Sequence, residues 1–184
     1  MVALIRNTRK ALVGAAMAFF MSAGTTHAQV PVSEATVKAA FLFKFAGYIE
    51  WPASYFATTE APLVIGVSSS DEVAAALEEL LPGRKVNGRT IVMKRLRDGE
   101  VPQAVHIVFL GRATRNPRSE IRAAQQQGAL AVTEVERGLE LGSAINFVPV
   151  DDRIGFEVSL ESADRSGLRI SARMLGVARK VVPR

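Results

Sequence analysis

The chain has 184 residues, 48% of them hydrophobic, with a formal net charge of +5 and no cysteine. That length suits one domain with a substantial apolar core, and the missing Cys excludes disulfides, thiolate metal sites and Cys nucleophiles. The positive excess is not a nucleic-acid footprint, because three of its charges sit in a leader.

Arg6, Arg9 and Lys10 form a positive head, residues 11–21 an apolar run, and residues 22–28 a small-residue stretch ending Thr26-His27-Ala28. This is the layout of a secretory signal cleaved after Ala28. The apolar run falls short of the roughly 20 residues of a membrane span. The arginines are not adjacent and no Cys follows, so neither twin-arginine export nor a lipid anchor is indicated. The expected product is a soluble periplasmic protein starting at Gln29, a single domain over residues 29–184. Its charge is +2 once the three leader charges leave the +5.

Residues 35–52 (ATVKAAFLFKFAGYIEWP) predict a helix capped by Ser33 and stopped before Pro52. Val37, Phe41, Phe45 and Tyr48 make one apolar stripe, and Ala39, Leu42, Phe43, Ala46 and Ile49 a second. Only Lys38, Lys44 and Glu50 interrupt them. A helix apolar nearly all round is covered on two sides, either as a deeply buried core helix or with its outer face as an interaction surface. Residues 63–67 (LVIGV) and 104–110 (AVHIVFL) lack polar alternation, the pattern of strands buried on both faces. Ser70 or Asp71 caps a helix over 72–81, stopped by Pro82-Gly83. Asn87-Gly88 makes a hairpin turn before a strand over 90–96. A polar helix over 118–127 ends at Gly128, and Leu130 to Thr133 is another strand. Ile145, Phe147 and Pro149 lead into a turn at Asp151-Asp152, and Ile154, Phe156, Val158 and Leu160 alternate out of it, giving an antiparallel hairpin. Residues 162–179 read as helix in two pieces broken near Gly167. The fold class is α/β, a three-layer α/β/α sandwich on a mostly parallel sheet with a C-terminal antiparallel hairpin.

Chemistry-bearing motifs are scarce. His106 is the only His after the leader, and it sits in a buried strand, where a hydrogen-bonded core role outweighs that of base or ligand. There is no G-x-S-x-G elbow, no phosphate-binding loop and no G-x-G-x-x-G. Asp151-Asp152 reads as a solvated turn. Ser68, Ser69 and Ser70 follow a strand and open a helix, where backbone amides bind anions; Asp71 beside them repels one. A phospho-receiver lacks its acceptor Asp, since AVHIVFL ends in Gly111. These residues indicate a binding protein with no catalytic, cofactor or metal site.

The segments VKAAFLFKFAGYIEWP, PLVIGV, VNGRTIVMKRL, AVHIVFLG, SAINFVPVDDRIGFEVSL and SGLRISARMLGVARKV occur in the order of the YfiR-like family of exported bacterial proteins, which the chain resembles over nearly all of residues 29–184. The resemblance implies a periplasmic α/β/α sandwich, often a homodimer. It also implies repression of a membrane diguanylate cyclase through its periplasmic part, relieved by an outer-membrane OmpA-like lipoprotein. The chain departs from relatives that carry a Cys near the position of Val105, so disulfide-based redox control does not operate. The expected role is a periplasmic regulator that lowers cyclic-di-GMP signalling by protein contact; the alternative is a small-ligand-binding module using Ser68, Ser69 and Ser70. Phe43, Arg169, Arg173 and Met174, on the first and last helices, are the expected partner or dimer interface.

Overall fold

The apolar runs assemble into one sheet. The computed structural model describes residues 32–100 and 104–184; the leader and the position of Gln29 lie outside the described residues. The chain runs α1 (Glu34–Tyr48), β1 (Ile49–Glu50), β2 (Leu63–Ser68), α2 (Asp71–Leu80), β3 (Lys85–Val86), β4 (Arg89–Leu96), β5 (Ile107–Leu110) and α3 (Pro117–Gln126). It continues through β6 (Leu130–Thr133), α4 (Gly138–Leu141), β7 (Ile145–Val150), β8 (Arg153–Ser159), α5 (Leu160–Arg165), β9 (Arg169–Ile170), α6 (Ala172–Leu175) and β10 (Lys180–Val182). The main sheet has the order β10-β8-β7-β6-β5-β2-β4-β3, and β1 and β9 form a separate two-stranded ribbon. Strands β4, β2, β5, β6 and β7 are parallel neighbours, while β8 turns back antiparallel on β7.

Period-two alternation sorts the central strands between two layers. Ile65, Ile107, Phe109, Leu130 and Val132 face the larger core with α1 and α2. Val108, Leu110 and Ala131 face the smaller one with Ile121 and Ala124 of α3. The three-layer sandwich is thus the observed architecture. Phe41 and Phe45 of α1 meet Phe147 and Phe156 of the hairpin at ring separations of 5.0–5.9 Å. These edge-on and offset contacts anchor the helix on the antiparallel end of the sheet.

Local signals explain most boundaries. Ser33 Oγ accepts the Thr36 N–H at 3.1 Å and starts α1. Asn87 and Gly88, with φ of 51° and 82°, make the turn that the hairpin twist demands. The buried strand at 104–110 is shorter than its apolar run: Ala104 has φ 52°, and regular pairing begins at Ile107.

Residues 162–179 need correction. Gly167, at φ 69°, closes α5, after which Arg169 and Ile170 pair antiparallel with Glu50 and Ile49. The Ser171 N–H donates to the Tyr48 carbonyl at 2.9 Å, and Ser171 then caps the short α6. Backbone pairing to the end of α1 displaces the helix that side-chain periodicity suggested.

Candidate functional site

The four interface residues expected from sequence separate in the structure. Arg169 and Arg173 are exposed, and neither forms an ion pair among the described residues. Phe43 is half-buried, with the Arg84 guanidinium 5.7 Å above its ring. Met174 corrects the expectation: it is 1% exposed and packs in the core, so it offers no contact surface. The helix that was to place it beside Phe43 is only the one turn of α6, and α2 is the main neighbour of α1. What remains on the surface is a set of exposed cations, Arg169, Arg173, Arg179 and Lys180, in the same stretch of chain as Val177, which is 72% exposed; Asp151 and Asp152 lie beside Val177 and Arg179.

The three serines are placed at the carboxyl end of β2, beside that of β5, where the strand order reverses. In open parallel sheets this is the usual position for a ligand crevice. Their side chains are committed elsewhere. Ser68 is buried, and Ser69, with φ 56°, donates its hydroxyl to Asp98 at 3.2 Å. Only Ser70 reaches the adjoining cavity of about 250 Å³, lined also by Glu34, Ala35, Lys38, Glu72, Val73, Arg112 and Glu134. Three carboxylates against two cations, with Lys38 already paired, do not make an anion cradle. Sequence reasoning brought the serines to the right edge of the sheet and overlooked that the acids come with them.

Lys38 is the residue that the apolar stripe disguised. Its side chain is 6% exposed, and Nζ pairs with both Glu34 and Glu134, the latter 8% exposed. Glu134 follows β6 and also accepts the Arg112 N–H at 3.2 Å. The clasp ties the first turns of α1 to the carboxyl end of the sheet. Lys38 holds the Glu34 carboxyl below its usual range. The Glu34–Lys38 spacing was readable as an i,i+4 pair; Glu134 carried no local signal.

His106 is buried as expected. Its Nδ1 accepts the Val64 N–H at 3.1 Å, which leaves the ring proton on Nε2. The ring stacks on Phe56 at 4.4 Å, and Arg89 covers the other face of Phe56 at 3.8 Å. Burial, with Arg89 nearby, pushes the His106 pKa below its usual 6.5 against an opposing pull from the Tyr55 carbonyl. The ring joins the edge of β2 to the chain before β5, and among the described residues no serine hydroxyl bonds to it. A second buried titratable group, Glu120, lies near Asp98 and Gly99. Burial first, then the Asp98 charge, pushes its carboxyl above the usual 4.5.

Among the described residues, no cluster of three His, Cys, Asp or Glu is placed to hold a metal ion, and no helix is long and apolar enough to cross a membrane. No curated protein matches the chain. The YfiR/HmsC-like family model matches residues 35–179, from the first turn of α1 to the residue before β10, so the chain belongs to the YfiR/HmsC-like family.

Proposed function

We propose that this protein is an exported regulator that lowers cyclic-di-GMP synthesis by binding the periplasmic part of an inner-membrane diguanylate cyclase. The family is one of periplasmic regulators of cyclic-di-GMP signalling, and the match over residues 35–179 is the observation that carries the reading. The exposed guanidinium groups of Arg169 and Arg173, without an ion pair among the described residues, and the exposed Val177 support it, since a protein interface combines apolar surface with a charged rim. An OmpA-like lipoprotein of the outer membrane is the proposed competitor, lifting repression by capturing the regulator. The ligand-module reading has less support, because the serine edge is occupied by its own acids.

The test is reconstitution. Adding the processed protein to membranes carrying the cyclase is expected to lower cyclic-di-GMP output, and the immobilised periplasmic part of the cyclase is expected to retain the protein. Unchanged output together with no retention overturns the proposal.

A further inference from the structure

Strand β4 is longer than the neighbour on its outer side. On its inner side Ile91 to Leu96 pair with Leu63 to Ser68 of β2. On its outer side β3 pairs only with Arg89 and Thr90, and β3 ends the sheet. Val86 and Arg89 flank the two-residue turn, so their backbone groups face each other. Ile91, two residues on, faces the same way and donates its N–H to the Arg84 carbonyl at 3.3 Å. The alternation of the ladder then turns the N–H and C=O groups of Met93 and Arg95 outward, where no strand lies among the described residues. The next outward donor, the Arg97 N–H, is closed by Glu100 Oε2 at 2.9 Å. The edge is open between two closed ends. The other edge of the sheet offers less, since β10 is three residues long and runs into Pro183, which has no N–H.

Side chains along the open edge sort by face. Ile91 lies in the larger core and Met93 packs against it. Val92 is in register with Val64 on the smaller-core face, is 37% exposed, and is followed there by Lys94. Residues 84–97 carry Arg84, Lys85, Arg89, Lys94, Arg95 and Arg97 and no acid. Arg95 is paired with Glu78 and Asp71 of α2 at 2.9 and 3.1 Å, and Lys94 with Glu100 at 3.5 Å. Arg84, Lys85 and Arg97 are exposed and form no ion pair among the described residues. Cations without acids thus stand at both ends of the open stretch.

Outward backbone groups at strand spacing are matched by another extended chain, because a helix satisfies its own. An added strand sets one row of side chains beside Met93 and the other beside Val92 and Lys94. We infer that the outer edge of β4 docks an extended acidic peptide segment of a partner as an added strand, with apolar side chains beside Met93 and carboxylates beside Lys94. The inference goes beyond the regulatory proposal and stands without it.

A fluorescent peptide of alternating valine and glutamate, titrated into the processed protein and followed by anisotropy, is the probe. It is expected to bind. A lysine-for-glutamate counterpart, and a copy N-methylated at alternate residues, are each expected to bind roughly tenfold more weakly or worse. Lys94→Glu is expected to weaken binding of the glutamate peptide roughly fivefold, and a circular dichroism melt checks that the variant is folded. Amide hydrogen exchange reads the register. Bound peptide is expected to slow exchange at Met93 and Arg95 and to leave Val92 and Lys94, already bonded to β2, unchanged. No binding at millimolar peptide overturns the inference and leaves the cations as guards of an edge that stays unpaired. Equal binding of the N-methylated copy, undiminished binding by folded Lys94→Glu protein, or protection that misses Met93 and Arg95 overturns it as well. The cyclase takes no part in these measurements, so they succeed or fail separately from the regulatory proposal.

Discussion

Lys38 is the place to probe what holds the first helix down. Lys38→Met keeps the length of the side chain and removes its charge. Glu134, 8% exposed, then keeps Arg112 as its cationic neighbour among the described residues, with Nη2 3.9 Å away on a side chain 76% exposed, and faces the like charge of Glu34. Removing one member of a buried pair costs about 3 kcal/mol or more. For a domain of this size that corresponds to a fall in Tm of roughly 6–12 °C. Glu134→Leu costs less, about 2 kcal/mol, because Lys38 retains Glu34, whose side chain is 53% exposed and solvates the pair. The double variant leaves neither charge buried without its partner and recovers much of both losses, as apolar replacements of buried pairs do. Urea unfolding of the four proteins measures the coupling, expected at about 2 kcal/mol or more. Single-variant losses that simply add in the double variant refute the clasp as an energetic unit.

Three further outcomes follow from the same structure. As pH falls through 6.5, the usual value for His, the unfolded chain takes up a proton that folded His106 resists, so stability falls; His106→Asn shifts the baseline stability and flattens this part of a pH-dependent unfolding profile. Glu120 acts with the opposite sign. Its folded pKa lies above 4.5, so its stabilising contribution is present below that value and is lost as pH rises through the folded pKa. Glu120→Gln is therefore expected to stabilise the protein at neutral pH, and a loss of Tm at pH 7 contradicts this. Mass spectrometry of the exported protein is expected to find Gln29 at its amino terminus; an intact Met1 on membrane-bound protein contradicts the leader reading.

The parts of the fold written in short-range pattern were legible. The doubly buried strands announced themselves as unbroken apolar runs, and Asn87-Gly88 and Asp151-Asp152 marked their hairpins. What misled was the region after Gly167. The apolar spacing of Leu168, Ala172 and Leu175 is helical, but the chain there satisfies backbone groups against Ile49 and Glu50, more than a hundred residues earlier. No window of sequence contains that partner. The same limit hid Glu134 from Lys38, and it made Met174 look like surface when it fills the core beside α1. For the serines, position was legible and occupancy was not: an acid from α1, another from α2 and a third after β6 converge there only once the sheet has formed.

The aromatic seat of α1 also imposes an order of events on the chain. Residues 41 and 45 rest on Phe147 and Phe156, and the strand that ends the helix is completed by Arg169 and Ile170. A polypeptide made amino end first therefore presents its most apolar helix early and receives the surface that covers it last. Until residues near 170 have emerged, α1 cannot reach its native resting place. The contacts that close the fold span nearly the whole domain, which slows folding.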